Sequence, residues 1–294
     1  MQLSANDLSH LADLASTAAR EAGALIANYQ QSELVVRYKA EGDSLASQVV
    51  TEVDELSQAI VLKHLEPSLA AYDLALLTEE RADDGSRLTK DYFWCIDPLD
   101  GTLPFTRGIP GYSVSIALVA RDGRPMLGVI FDPVEDLLYR AVAGQGAWRD
   151  DQPWHPLPPA ADWHPLPLYL FCDCTFECHP QRGSILQKMQ ALSQQLGFAE
   201  LKVKMGGGGV LNACWALEHA AACYFKQPKL ESGGGSFWDF AATACLFHEV
   251  GAVATDFQGD DLELNRVDST FMNHRGVLYA THPQLAVSIR EYFA

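Results

Sequence analysis

The densest chemistry in the chain lies in Trp94-Cys95-Ile96-Asp97-Pro98-Leu99-Asp100-Gly101-Thr102. An apolar run delivers Asp97 to the end of a strand, Pro98 fixes the next backbone angle and biases Asp97 towards extended geometry, and a turn returns Asp100 beside it. Two carboxylates about 4 Å apart repel by roughly 4 kcal/mol at an effective dielectric near 20, so the pair calls for a shared proton or a cation. All-oxygen ligation selects Mg²⁺, Mn²⁺ or Ca²⁺ over zinc. Gly101 and Thr102 then offer backbone N–H groups and a hydroxyl where a phosphate could be cradled. Alone, the hexad also fits an Asx turn closing a strand. Two further segments add carboxylates: Leu76-Leu77-Thr78-Glu79-Glu80 ends an apolar run in an acidic pair, and Ser236-Phe237-Trp238-Asp239 opens a helix with an aspartate in its first turn. Aspartate there also serves as an ordinary helix cap.

The elements that must hold these groups follow from periodicity. Leu8, Leu11, Leu14, Ala15, Ala18, Ala22, Leu25, Ile26 and Tyr29 recur at three- and four-residue intervals and predict a helix over about residues 5–30. A second helix is expected from about Asp54 to Leu65, stopping before Pro67. Strands are expected at Tyr72–Thr78, Tyr92–Ile96, Val114–Ala120 and Met126–Phe131, the last two joined by an Asp122-Gly123 hairpin turn. The proline-rich stretch between Asp150 and Pro167 allows neither helix nor central strand. A boundary placed there gives an N-terminal α+β subdomain, 1–155, with most of the candidate ligands, and a C-terminal α/β subdomain, 156–294, contributing Asp239 and substrate contacts. Beyond it the pattern predicts strands at Leu168–Cys172, near Leu201, at Cys223–Lys226, Ala252–Thr255 and Gly276–Thr281, and helices over Gly183–Leu196, Gly209–His219, Trp238–Val250 and up to Tyr292. Such alternation argues for layered helices and sheets.

Bulk composition bounds the partners. The chain has 294 residues, 48% of them hydrophobic, enough for a large core. Its 21 basic and 38 acidic side chains leave a net charge of −17, which repels a nucleic-acid backbone or an anionic membrane unless a local patch overrides it. An acidic protein can still take an anionic substrate if bound divalent cations reverse the local field. No export signal and no apolar stretch of membrane-spanning length is recognisable. Seven cysteines, several in apolar runs, suit buried thiols in a reducing compartment, and the cytoplasm is expected.

Taken together, these residues resemble the inositol monophosphatase superfamily of Mg²⁺-dependent, lithium-sensitive phosphatases. The matching pieces are Glu79-Glu80, Asp97-Pro98-Leu99-Asp100-Gly101-Thr102, Val50-Thr51-Glu52-Val53-Asp54 after Lys39, and Trp238-Asp239-Phe240-Ala241-Ala242 followed by His248-Glu249-Val250-Gly251-Ala252. The resemblance implies a layered αβαβα sandwich of the inositol monophosphatase and fructose-1,6-bisphosphatase type, usually a homodimer. It implies that Glu79, Asp97 and the Leu99 carbonyl hold one Mg²⁺ and that Asp97, Asp100 and Asp239 hold a second. Glu79 and Thr102 would orient and deprotonate the attacking water, and Gly101, Thr102, Gly208, Gly209, Lys226 and Asp239 would meet the substrate. Gln48 replaces an acidic residue that bears on a third metal. Lys226 stands where inositol-specific members have a glutamate, a departure that resembles the 3′(2′),5′-bisphosphate nucleotidase branch; a lysine could pair with a second phosphate or be simply solvated.

Other motifs carry less. Cys172, Cys174, Cys178 and His179 have no standard zinc spacing. The glycine run 206–209 lacks the Lys-Ser/Thr of a P-loop, and Gly144 and Gly146 lack the third glycine of a dinucleotide fingerprint. His219 and His248 fall on apolar helix positions and take no role. Trp154 and Trp163 could be a lid or packing anchors. The expectation is a Mg²⁺-dependent phosphomonoesterase acting on an inositol monophosphate-type or 3′-phosphoadenosine 5′-phosphate-type metabolite. The alternative is a non-catalytic metal- or phosphometabolite-binding protein of the same fold.

Overall fold

The computed structural model describes residues 2–30, 36–38, 49–157 and 166–293; Lys39, Gln48 and Trp163 lie outside them, so the readings that rest on these three are not addressed by the structure. Helix α1 spans Ala5–Tyr29 and opens with a capping box. The Ser4 hydroxyl donates to Asp7 Oδ2 at 2.6 Å and accepts from the Asp7 N–H at 3.2 Å. Leu8, Leu11, Ala15, Ala18, Ala22 and Ile26 form its buried face.

Helix α2 spans Glu52–Ala71 and passes through Pro67, so the expected stop at Leu65 is corrected. A proline there removes one intrahelical hydrogen bond, which the tertiary contacts of the next turn outweigh. Ser68, buried, donates to the Leu65 carbonyl at 2.6 Å and accepts from Trp94 Nε1 at 2.9 Å.

The larger sheet runs β3-β4-β5-β6-β7-β8-β9, with β3 (Ala75–Thr78) parallel to β4 (Tyr92–Asp100) and antiparallel pairing beyond. β5 (Ser113–Ala120) and β6 (Pro125–Asp132) are joined by the expected Asp-Gly turn, with Gly123 at φ 90°. β7 (Leu137–Val142), β8 (Gly146–Arg149) and β9 (Gln152–Pro153) extend the meander beyond the expected strands. β1 (Val36–Tyr38) and β2 (Val49–Thr51) form a separate antiparallel ribbon. The second sheet has the order β11-β10-β12-β14-β13, with β10 (Leu168–Cys172) central among parallel neighbours β11 (Leu201–Met205) and β12 (Ala222–Lys226), and β14 (Val277–Ala280) and β13 (Val253–Thr255) antiparallel.

Three apolar clusters turn these elements into layers. α1 and α2 pack on one face of the first sheet through Val61, Leu65, Trp94, Ile96, Ile116, Leu118 and Val129. Between the sheets lie α5 (Gly209–Leu217) and α6 (Phe237–Glu249), which meet Phe93, Cys95 and Ala117 on one side and Phe171, Tyr224 and Tyr279 on the other. α4 (Arg182–Gln195) and α7 (Pro283–Phe293) cover the far face of the second sheet through Ile185, Met189, Leu285 and Ile289. The result is the five-layer αβαβα sandwich. A short helix, α3 (Thr102–Thr106), follows β4. Trp154 packs against the middle cluster, its ring 5.3 Å from that of Tyr139, and so acts as a packing anchor. His219 is packed too, its ring 4.0 Å from that of Tyr169. Among the described residues no helix is long and apolar enough to cross a membrane.

A buried arginine ties the loop before β4 to the C-terminal half. Arg87 is 2% exposed and donates to Asp83 at 2.7 Å, to Asn265 Oδ1 at 2.5 Å and to the Arg266 carbonyl at 2.7 Å. Its guanidinium lies 5.5 Å from the ring of Phe237, the first residue of α6. Arg87→Leu leaves the Asp83 carboxylate, the Asn265 amide and the Arg266 carbonyl, all partly exposed, without their buried donor and is expected to cost about 1–3 kcal/mol in urea unfolding, with Arg87→Lys recovering less than half. A loss below 1 kcal/mol would show that the latch contributes little.

Candidate metal centre

β4 continues to Asp100 instead of turning after Ile96, and the two aspartates converge by a different route from the expected turn. Against β5 the register steps from Asp97 opposite Ser115 to Asp100 opposite Ser113, three residue steps facing two. In a regular strand residues 97 and 100 point to opposite faces; the extra residue of this bulge brings both carboxylates to one face. Pro98, with no N–H for the ladder, sits inside it. Leu99, in contrast, is buried among the outer helices. Gly101 follows at φ 81°, and a Cβ there would lie 2.5 Å from the Gly111 carbonyl oxygen, so only glycine fits the exit from the strand.

Three neighbours bring further groups to this spot. β3 places Thr78 opposite Ile96, and the next N–H, that of Glu79, donates to the Ile96 carbonyl at 3.2 Å, which sets Glu79 beside Asp97. α2 braces both strand ends: Thr78 Oγ1 donates to Gln58 at 2.6 Å and Ser57 Oγ donates to the Pro98 carbonyl at 2.7 Å. From the middle layer, the Trp238 carbonyl accepts from Ser115, the ladder partner of Asp97, at 3.1 Å. That contact docks the first turn of α6, where Asp239 accepts from the Ser236 N–H at 2.6 Å. From α5, the N–H groups of Gly209 and Val210 donate to Asp100 at 3.2 and 3.0 Å. A Cβ on Gly208 would come within 2.3 Å of Asp100 Oδ2, so the glycine run permits the approach.

Asp97, Asp100 and Asp239 each place a carboxylate oxygen within 4.8 Å of the other two. Among the described residues no other group of three His, Cys, Asp or Glu side chains converges in this way, and Cys172, Cys174, Cys178 and His179 do not. All seven cysteines are free thiols. Glu79 stands next to this triad without joining it, although its charge acts on Asp97. Thr102 Oγ1 donates to the Leu99 carbonyl at 3.3 Å. Gly208 and Gly209, expected at the substrate, cap the triad through Asp100.

Burial pushes the Asp97 carboxyl well above the usual carboxylate range, and the charges of Glu79, Asp100 and Asp239 push the same way. Burial likewise raises Asp100, with Asp239 adding to it, against the Val210 N–H and Lys226. Asp239 is raised by burial while Lys226 and the hydrogen bond from Asp97 oppose. Without a cation, burial and mutual repulsion favour a proton on the cluster. Oxygen-only donors, buried and mutually repelling, fit a hard divalent cation.

A scan against family models matches residues 7–293 to the model described as inositol monophosphatase family. The chain belongs to this family. A relative named Nus factor SuhB from Pasteurella multocida is 30% identical over 251 residues, covering 84% of this chain and 85% of its own. Inositol monophosphatase 2 of Solanum lycopersicum is 27% identical over 254 residues, covering 86% and 89%. Among solved structures, inositol monophosphatase from Anabaena superposes with a TM-score of 0.68 at 24% identity over 97% of both chains, which shows the shared fold.

Several residues that build this inositol monophosphatase-family site escaped sequence reasoning. Ser57, Gln58, Ser115 and Asn212 are small polar residues in otherwise apolar settings and carry no motif. Asp173 had the same signal as Asp97 and Glu79, a carboxylate ending an apolar strand, and was passed over for the cysteines beside it. Its carboxylate accepts from Lys226 Nζ at 2.9 Å, from the Tyr224 hydroxyl at 2.9 Å and from Asn212 at 3.1 Å.

The raised Asp97 carboxyl has a pH consequence. Folded, metal-free chain keeps a proton that the unfolded chain releases near pH 4, so its stability falls as pH rises from about 4 towards the raised value. A divalent cation displaces that proton, so stabilisation by Mg²⁺ grows over the same window. Asp97→Asn removes the carboxyl whose proton uptake on folding costs stability and is expected to raise the metal-free melting temperature at neutral pH by about 2–5 °C while abolishing the Mg²⁺-induced rise. A variant that melts lower than wild type without metal, or still responds to Mg²⁺, would contradict this account.

Proposed function

We propose that this chain is a Mg²⁺-dependent phosphomonoesterase that hydrolyses a small phosphorylated metabolite, of the inositol monophosphate or 3′-phosphoadenosine 5′-phosphate type. The observation that carries the reading is the largely buried Asp97-Asp100-Asp239 triad beside Thr102 and Glu79. In this reading Glu79, Asp97 and the Leu99 carbonyl would hold one Mg²⁺, and Asp97, Asp100 and Asp239 would hold another. Bound there, they would supply the positive charge that entering and leaving phosphate oxygens need.

The chain's own residues do the rest. Glu79, half-exposed beside Asp97, accepts the proton of the attacking water, with the Thr102 hydroxyl orienting that water. Backbone N–H groups at Gly101 and Thr102, where α3 begins, donate to phosphate oxygens. Lys226, Gly208 and Gly209 lie on the side where the organic part of the substrate would sit. The net charge of −17 makes the local reversal of field by cations a requirement for binding any phosphate here. A second reading, a binding protein without turnover, draws on the SuhB relative, which is named as a Nus factor.

The deciding experiment is phosphate release from a panel containing inositol 1-phosphate, 3′-phosphoadenosine 5′-phosphate and fructose 1,6-bisphosphate, with and without Mg²⁺ and Li⁺. Mg²⁺-dependent, Li⁺-inhibited release from at least one compound is expected, with Asp97→Asn reducing kcat by roughly 10²–10³-fold. No metal-dependent release from any compound would support the binding protein, and unchanged turnover in Asp97→Asn would remove the triad from the mechanism.

A further inference from the structure

Lys226 ends β12 with its ammonium among three carboxylates. Burial alone would lower its pKa, but the charges of Asp173, Asp239 and Asp100 raise it, so it is firmly cationic. It forms an ion pair with Asp173 Oδ2 at 2.9 Å, and the two side chains keep 24% and 28% of their surface exposed. Asp173 is held independently of the lysine. Its other oxygen accepts from Tyr224 and Asn212, and the same Asn212 amide nitrogen also donates to the Gly207 carbonyl at 3.0 Å. The carboxylate is therefore fixed to β12 and to the N-terminal turn of α5, which itself holds Asp100.

This arrangement changes what Lys226 offers to a substrate. A lone lysine attracts a second phosphate; a lysine matched at 2.9 Å by a fixed carboxylate has little net charge to offer, and an arriving phosphate must also be desolvated beside that carboxylate. A hydroxyl suits the pair better, because its oxygen can accept from the ammonium while its hydrogen is donated to Asp173. Such a polar pair discriminates strongly against groups that leave one partner unmatched.

We infer that Asp173 is a specificity-determining positioning residue: by holding and neutralising Lys226 it selects a leaving group recognised through uncharged hydroxyls, as in a polyol monophosphate, over one bearing a second phosphate. The inference rests on the phosphomonoesterase reading above and decides between the two substrate types left open there.

The test compares kcat/KM for inositol 1-phosphate and 3′-phosphoadenosine 5′-phosphate in the full chain with Mg²⁺. Wild type is expected to favour the polyol monophosphate. Asp173→Asn, which keeps the shape and frees the lysine, should shift the ratio towards the bisphosphate by at least about tenfold, and adding Lys226→Gln to it should abolish the shift. Lys226→Gln alone, which does not depend on Asp173→Asn folding, should raise KM for the polyol compound by a larger factor than KM for the bisphosphate. A wild-type preference for the bisphosphate, an unmoved ratio in Asp173→Asn, a shift that survives loss of Lys226, or a selective loss of bisphosphate turnover in Lys226→Gln would each overturn the inference. Absence of release from either compound by wild type is a different failure: it would remove the phosphatase reading itself, and this inference with it.

Discussion

Three aspartates, Asp97 and Asp100 buried and Asp239 half-buried, whose oxygens crowd within 4.8 Å of one another are the constraint around which this structure is organised. Like charges at such distances repel by several kcal/mol even in a partly polar interior, so the cluster persists only while something else positions it. The positioning is distributed. A strand bulge sets Asp97 and Asp100 on one face, a serine on the neighbouring strand docks the helix that carries Asp239, and two N–H groups of another helix hold Asp100. Repulsion is thus opposed by backbone geometry instead of by side-chain pairing alone. The same geometry leaves a concentration of negative charge that a proton can relieve only in part.

The layered fold suits that purpose. The middle helices, α5 and α6, are packed between both sheets and begin at the triad: the positive end of α5 meets Asp100, delivered by the first sheet, and that of α6 meets its own Asp239. Glycine at 208 lets one of those ends come closer than any side chain would permit. Arg87, stacked on Phe237 and bound to Asn265, secures the start of α6 from the opposite side. Stability and site geometry are here the same set of contacts.

How far the sequence could be read depended on the range of the interaction. Helix α1 and the hairpin between β5 and β6 were legible because a helical repeat and an Asp-Gly turn are local. The stop at Pro67 was misjudged because Ser68 and Trp94, 26 residues apart, hold the last turn in place. Strands β7 to β9 were overlooked, lying in Leu137–Val142 and the glycine-containing segment after it, where pairing with β6 supplies what the local pattern lacks. Asp173 was missed although it ends an apolar strand as Asp97 does, because its partners Asn212, Tyr224 and Lys226 are distant in the chain.

From the amino acids alone come the identities of the acidic residues, the order in which they occur, the layered fold class and the family to which their spacing points, since all of these are carried by short motifs and local periodicity. Only the tertiary structure decided how those acids meet: that a bulge and not a turn aligns Asp97 with Asp100, that Glu79 stands just outside the triad, and that Lys226 is already matched by a carboxylate. The reason is physical. Register, burial and charge compensation are properties of segments packed against one another, and no single stretch of chain contains them.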